Sequence, residues 1–382
     1  MSKQLFGYAL MGLIFILVGG GVFLIQPSTH VIEGSAFGTY YRIRIIVPRY
    51  REFLHSIQTL QDKTDTILHR IDRVMSTYRE DSQIAVFNAM YSTQPVAVDP
   101  WLYHVLQVSL QVSALTHGAF DVTIRPLSLL WGLQGPARHD KPLPHEIRST
   151  LAKVGYRHLE LLTGNRIRKT IPDLQIDVSA LAEGFAVDQL SELLLDEGIS
   201  NFVVELGGEI RAHGRQTANR KWRVGIERPD QRVVAQVVLE DRAMATSGTY
   251  QRFLEMEGET YSHILDPRTG YPVQGPLVSV TVLSKSCMWA DALATALMVL
   301  PIDEGKTIVN QLPDTEAFFL SVTPSKNWNF SVAAAPPTAR HCALWDQNSR
   351  RKYGFSFSHP YIFRRTPFLG FGPAPLLQFL LV

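Results

Sequence analysis

Hydrophobic and polar positions change period several times along the chain, and each change predicts an element. Residues 5–25 show no period: they form an unbroken run of 21 uncharged, mostly apolar residues, preceded by Lys3. A helix of that length spans a bilayer, and the positive charge on its short N-terminal side predicts that side in the cytoplasm. No small-x-small cleavage site follows and no Cys stands there for lipid attachment, so 1–25 reads as an uncleaved signal anchor. A short linker over 26–33 is expected next. Residues 39–47 (TYYRIRIIV) are β-branched and aromatic, a strand. Over 51–75 apolar residues recur at Ile57, Leu60, Ile67, Leu68, Ile71, Val74 and Met75, the spacing of a helix. A second helix starts at Pro100, tolerated in a first turn, and ends at Gly118. A third covers 180–197 and closes at Gly198. Strands are predicted over 202–206, 222–227, 233–239, 261–265 and 277–283, with a last helix over 289–300. Helices and antiparallel-looking strands in mixed order predict an α+β domain over 34–332, not a doubly wound sheet.

Composition adjusts this picture at the two ends. A hydrophobic content of 46% is ample for a packed core. The net charge of +2 is uneven, because residues 336–382 carry six Lys/Arg against one Asp, leaving the body slightly acidic. The body has no basic face interleaved with aromatics, which excludes nucleic acid as a partner. The basic, Pro-containing tail over 333–382 has no usable period and is expected to be poorly ordered. Cys287 and Cys342 form neither a CxxC pair nor a metal set, and a bridge between them is not expected.

The candidate chemistry is concentrated in two segments. His263-Ile264-Leu265-Asp266-Pro267-Arg268 puts an imidazole, a carboxylate and a guanidinium within six residues and closes with Thr-Gly-Tyr-Pro. Asp291 and Thr295 are four apart on the last helix, hence on one face. Together they offer half a shell for a hard cation such as Mg²⁺. Smaller clusters set polar groups among Gly and Ala: Gly38, Tyr78 after the first long helix, Gly118-Ala119-Phe120-Asp121, Asp177 and Ser179 at a helix start, Glu205-Leu206-Gly207-Gly208-Glu209 and Ala245-Thr246-Ser247-Gly248. Singly, each has a structural explanation: Asp177 or Ser179 caps a helix, Asp121 holds a turn, and Asp291 complements a helix dipole.

Their joint order resembles the ApbE family of FAD:protein FMN transferases. The matching motifs run from Gly34 to about Ser331 and include Met75-Ser76-Thr77-Tyr78-Arg79, Gly118 to Thr123, Asp177-Val178-Ser179-Ala180, Glu183 to Asp188, Gly207-Gly208-Glu209, Thr246-Ser247-Gly248, His263 to Pro272 and Ala290 to Ala296. The chain departs from the family's usual pattern at Phe37, where Met is common, at Arg125, and at Thr249. The resemblance implies a T-fold-like architecture of mixed and antiparallel sheets with packed helices. It also implies Mg²⁺-dependent transfer of FMN from FAD to a Ser or Thr of an acceptor protein, with release of AMP. Carried over by motif, FAD contacts fall on Phe37, Tyr78, Ala119, Phe120, Asp121, Asp177, Glu183 and Leu265, and metal ligands on the Ala180 carbonyl, Asp291 and Thr295. His263 is the expected general base, since imidazole titrates near working pH, with Asp266 orienting it or sharing the role and Arg268 pairing with phosphate or carboxylate. The implied acceptors belong to membrane-linked redox complexes, which suits a body held on the periplasmic side of the inner membrane by its anchor. Two rival readings are an FAD pyrophosphatase, with water as nucleophile, and a flavin-binding protein without activity.

Overall fold

The computed structural model describes residues 26–49, 57–217, 219–250, 253–323, 325, 327–335 and 342–344. The expected anchor over 1–25 and most of the tail lie outside these residues. Among the described residues no helix is long and apolar enough to cross a membrane.

Eight antiparallel strands form the central sheet, and their order in space is their order in the chain. They are β1 (Pro27–Ala36), β2 (Thr39–Pro48), β3 (Phe202–Leu206), β4 (Glu209–His213), β5 (Arg242–Gly248), β6 (Leu277–Ser284), β7 (Glu316–Val322) and β8 (Trp328–Ala334). Alternation decides which layer each strand faces. On β2, Tyr41, Ile43 and Ile45 enter the main core, while Ile46 packs on the opposite side. On β7, Ala317 and Phe319 face one layer and Phe318 the other. Both faces are therefore covered.

One layer is helical, formed by α1 (Ile57–Met75), α2 (Gln83–Ala89), α3 (Pro100–Leu115), α6 (Ser179–Asp196), α7 (Cys287–Val299) and α8 (Ile302–Val309), while α4 (Arg125–Leu130) and α5 (Pro144–Leu151) pack in a separate cluster with Tyr261 and Leu265. The other is a small sheet built on the strands Arg220–Glu227 and Val233–Leu239, whose Trp222, Val224, Ile226, Val237 and Leu239 pack against Val203, Met244 and Leu283 of the central sheet.

Two expectations are corrected at the ends of the domain. The predicted linker over 26–33 is largely strand β1, paired with β2 from Pro27↔Pro48 to Ala36↔Thr39. Its polar residues hide a strand because it sits at the sheet edge, where backbone pairing does the work and side chains stay partly exposed. The tail contributes one short strand, Cys342–Leu344, paired with Val233–Leu239. Cys287 is buried and free, and burial pushes its thiol well above the ordinary range, which leaves it inert.

The pair α6/α7 carries predicted site residues, and three contacts hold the two helices at close range. Gly184 lies against the start of α7: a Cβ there would meet the Cys287 carbonyl oxygen at 2.6 Å. Asp188 on α6 caps α7, accepting from Ser286 Oγ at 2.7 Å, Cys287 N at 3.0 Å and Met288 N at 3.1 Å, while Arg211 Nη1 donates to it at 3.0 Å. Gly184 N donates in turn to Asp291 Oδ2 at 3.2 Å. Gly184→Ala is expected to force the helices apart and destabilise the fold by about 1–3 kcal/mol. A urea melt checks this, and an unchanged midpoint would contradict the close packing described.

Candidate active site

A cleft of about 360 Å³ lies where the start of α6, the middle of α7, the β3–β4 turn, the end of β5 and the 263–272 loop converge. Each wall is positioned by local sequence. Asp177 Oδ1 accepts from Ser179 N at 2.9 Å, fixing the first turn of α6. Its other oxygen accepts from Gln134 Nε2, and Gln134 Oε1 accepts from Arg125 Nη1 at 2.6 Å. Arg125, one of the departures from the family pattern, thus braces Asp177 from behind, and it is not among the cleft-lining residues.

Asp121 lines the cleft, but both its oxygens are committed to backbone. Oδ1 accepts from Thr123 N at 2.8 Å and from Thr123 Oγ1 at 2.6 Å, and Oδ2 accepts from Tyr156 N at 2.7 Å. Burial raises its carboxyl above the ordinary range, and these bonds pull the other way. Asp121 holds together the two loops that form this wall.

The 263–272 loop is built rather than slack. Asp266 N donates to Tyr271 O at 2.8 Å, Gly270 N returns to Asp266 O at 2.8 Å, and buried Trp131 Nε1 donates to Gly270 O at 2.8 Å. Gly270 has φ +79°, and a Cβ there would meet Ile147 Cγ2 at 2.7 Å, so this position requires glycine. His263, Ile264, Leu265 and Pro267 line the cleft. Asp266 does not: its carboxylate takes Arg268 Nε and Nη2, each at 2.9 Å, in a bidentate pair inside the turn. A strong partner two residues away captures the carboxylate and makes it a brace for the turn.

Acidic side chains gather at the base of the cleft. Asp291 and Glu183 reach it from α7 and α6, and Glu209 reaches it from the first residue of β4. Glu183 and Glu209 share a hydrogen bond, and Glu209 Oε2 is buried with no partner. Burial, followed by the neighbouring acids, pushes the Glu209 and Asp291 carboxyls well above the ordinary range. Gly207 at φ +63° makes room, since a Cβ there would collide with the Glu183 carboxylate. Ser247 Oγ and Thr295 Oγ1 lie 3.0 Å apart on the same wall, and Ala180 borders it. Among the described residues no three His, Cys, Asp or Glu side chains form a ready-made metal cage. Hydroxyl and carbonyl oxygens must complete any cation shell.

The structure thus brings Phe120, Asp121, Asp177, Ala180, Glu183, His263, Leu265, Asp291 and Thr295 to one cleft. It places the remaining predicted contacts outside the lining. Ala119 is buried in the core beside α7. Tyr78 is 75% exposed beyond α1. Phe37 packs on the main core at the two-residue β1–β2 turn, where its φ of +54° precedes Gly38 at +79°. A bulky residue in that left-handed region is uncommon, and Gly38 beside it lines the cleft. Glu209, named in the sequence only within its Gly-Gly motif and given no role there, joins the acids of the cleft.

Comparison with known proteins decides the family. The ApbE family model matches residues 37–319. The chain belongs to the ApbE family. A protein of Vibrio cholerae named FAD:protein FMN transferase is 41% identical over 295 residues, 75% of this chain and 87% of the relative. One of Salmonella typhimurium with the same name is 35% identical over 297 residues, 75% of this chain and 83% of the relative. Among solved structures, the flavin transferase ApbE from Vibrio cholerae superposes with a TM-score of 0.74 at 37% identity, covering 81% of this chain and 98% of that one. The mixed fold of helices and antiparallel sheet seen here is therefore the ApbE fold.

Proposed function

We propose that the chain transfers the FMN half of FAD to a Ser or Thr hydroxyl of an acceptor protein and releases AMP. The observation that carries this reading is the acidic, oxygen-lined base of the cleft sharing one cavity with His263, in a chain of the ApbE family. That base fits a hard divalent cation such as Mg²⁺. Its donors are all oxygen, and one of them, Glu209 Oε2, is buried without a partner. The Ala180 carbonyl, Asp291 and Thr295 would hold the cation, with Glu209 and Ser247 at hand nearby. When bound, Mg²⁺ supplies charge neutralisation at the pyrophosphate.

The remaining work falls to the protein's own residues. Phe120 and Leu265 offer apolar contact to FAD, and Asp177, Glu183 and the braced Asp121 loop shape its polar wall. Tyr78 and Phe37, both off the cleft lining, would meet the part of FAD that extends beyond it. His263 takes the proton of the acceptor hydroxyl as its oxygen bonds to the FMN phosphorus. The bond from that phosphorus to the bridging oxygen breaks, and the oxygen leaves with AMP. Asp266 and Arg268 keep the turn that carries His263 rigid.

Product analysis tests this reading. FAD and Mg²⁺ are incubated with the full chain, with and without an acceptor domain bearing a target Thr. AMP formed in step with flavin-labelled acceptor is expected. AMP and free FMN formed equally without acceptor would replace transfer by hydrolysis, and FAD bound without any turnover would leave a binding protein.

The run over 5–25, with Lys3 before it, supports a tether in the inner membrane with the body on the periplasmic side. Acceptors would then be subunits of membrane-linked redox complexes. Protease added to spheroplasts is expected to digest the body, and protection of the body would reverse the topology.

A further inference from the structure

A cation at the start of a helix is disfavoured by the helix dipole, yet α4 opens on Arg125 and carries no acid in its first turn. Its guanidinium is answered by Gln134, whose Oε1 accepts from Arg125 Nη1 at 2.6 Å. The turn that ends α4 brings Gln134 back to it. Leu133 N and Gln134 N both donate to Ser128 O, at 2.9 and 3.4 Å. Gly132 takes φ +68° there, where a Cβ would meet Arg138 N at 2.7 Å. On its other side the Gln134 amide reaches Asp177 Oδ2 through Nε2. Neither Arg125 nor Gln134 lines the cleft, whereas Asp177 does.

This line of contacts has a direction. A guanidinium donates and never accepts, and a carboxylate accepts and never donates. Between the two a primary amide fits in one orientation only, oxygen towards Arg125 and nitrogen towards Asp177. Without the cation the amide is free to turn over and set its oxygen against the carboxylate, where the two repel. Asp177 is held elsewhere by Ser179 N, which donates to Oδ1 at 2.9 Å, and through its own N, which donates to Val122 O at 2.7 Å. The orientation of Gln134 therefore governs Oδ2, and Arg125 governs the orientation.

We propose that Arg125 is a positioning residue for flavin-nucleotide binding, acting through Gln134 to set the Asp177 carboxylate for an N–H or O–H donor of FAD. The proposal rests on the transferase reading, which makes Asp177 an FAD contact. It gives a function to a position at which this chain departs from the usual family pattern. The polarised amide passes part of the cation's field on to the carboxylate, which a small residue at 125 does not supply.

FAD affinity, read apart from turnover, tests it. The full chain is mixed rapidly with FAD and Mg²⁺ in the absence of acceptor, and flavin fluorescence is followed before products accumulate. Arg125→Ala should weaken FAD binding at least about fivefold, the scale of one intramolecular hydrogen bond. Arg125→Glu should weaken it further, because a carboxylate at that position accepts from Gln134 Nε2 and turns the amide oxygen onto Asp177. Arg125→Lys, which donates without accepting, should restore most of the affinity. In an Asp177→Asn background neither Arg125→Ala nor Arg125→Glu should cost anything further, since substitutions that act through one residue do not add. A change of overall charge, or a loosened fold, would still add there. Equal affinity in all Arg125 variants, or losses that add to that of Asp177→Asn, would overturn the proposal, as would an unmodified chain that binds no FAD. Coupled losses in a chain that attaches no FMN to an acceptor would keep Arg125 in this role and remove the transferase reading instead.

Discussion

Asp291→Asn is expected to lower FMN transfer by at least about a thousandfold, the loss of several kcal/mol of charge stabilisation at the pyrophosphate, while making the metal-free protein more stable. The two effects share one cause. Asp291 is buried close to Glu183, and burial together with that acid pushes its carboxyl well above the ordinary range, as burial with Asp291 and Glu183 does for Glu209. Ionised acids held this close without a cation repel one another, which costs stability. An Asn keeps an oxygen to accept from Gly184 N and removes one charge. In the presence of chelator its melting temperature should rise by about 2–4 °C for each kcal/mol relieved. Isothermal titration with Mg²⁺ should show weakened binding. A variant that is both less stable in chelator and fully active would contradict the assignment of this cluster to a cation.

His263→Ala is expected to slow transfer by about 10²–10⁴, the usual loss when a general base is removed, with FAD affinity changed little. The imidazole lines the cleft, and the loop around it is held by Trp131, Gly270 and the Asp266–Arg268 pair. The backbone should therefore keep its shape when the ring is removed. Single-turnover kinetics separate the chemical step from FAD binding. An unchanged rate for that step would take His263 out of the proton transfer. Loss of FAD binding with an unchanged chemical rate would recast it as a binding residue.

Much of this arrangement was legible in the sequence where one element carries the whole signal. Helix α6, predicted over 180–197, is Ser179–Asp196, and the strand over 202–206 matches β3. Asp291 and Thr295 were paired by helical spacing alone, and both line the cleft. Helix α7 begins two residues before its predicted start because Ser286 Oγ caps it, accepting from Trp289 N at 3.2 Å.

What was hidden depends on the third dimension. Strand β1 escaped notice because an edge strand needs no alternating apolar face. The strand predicted over 261–265 ends at Ser262, since His263 leaves the hairpin to enter the catalytic loop. The meeting of Glu209 with Glu183 shows only when the β3–β4 turn folds the two together. The bidentate pairing of Asp266 with Arg268 is likewise hidden, because residue type and spacing do not tell which neighbours a carboxylate will take.

The most direct test of the account is intact-mass and peptide mapping of an acceptor domain incubated with the chain, FAD and Mg²⁺. The account predicts one added FMN on a single Ser or Thr, absent with chelator and absent with Asp291→Asn. An acceptor of unchanged mass, beside FAD consumed to free FMN and AMP, would contradict it.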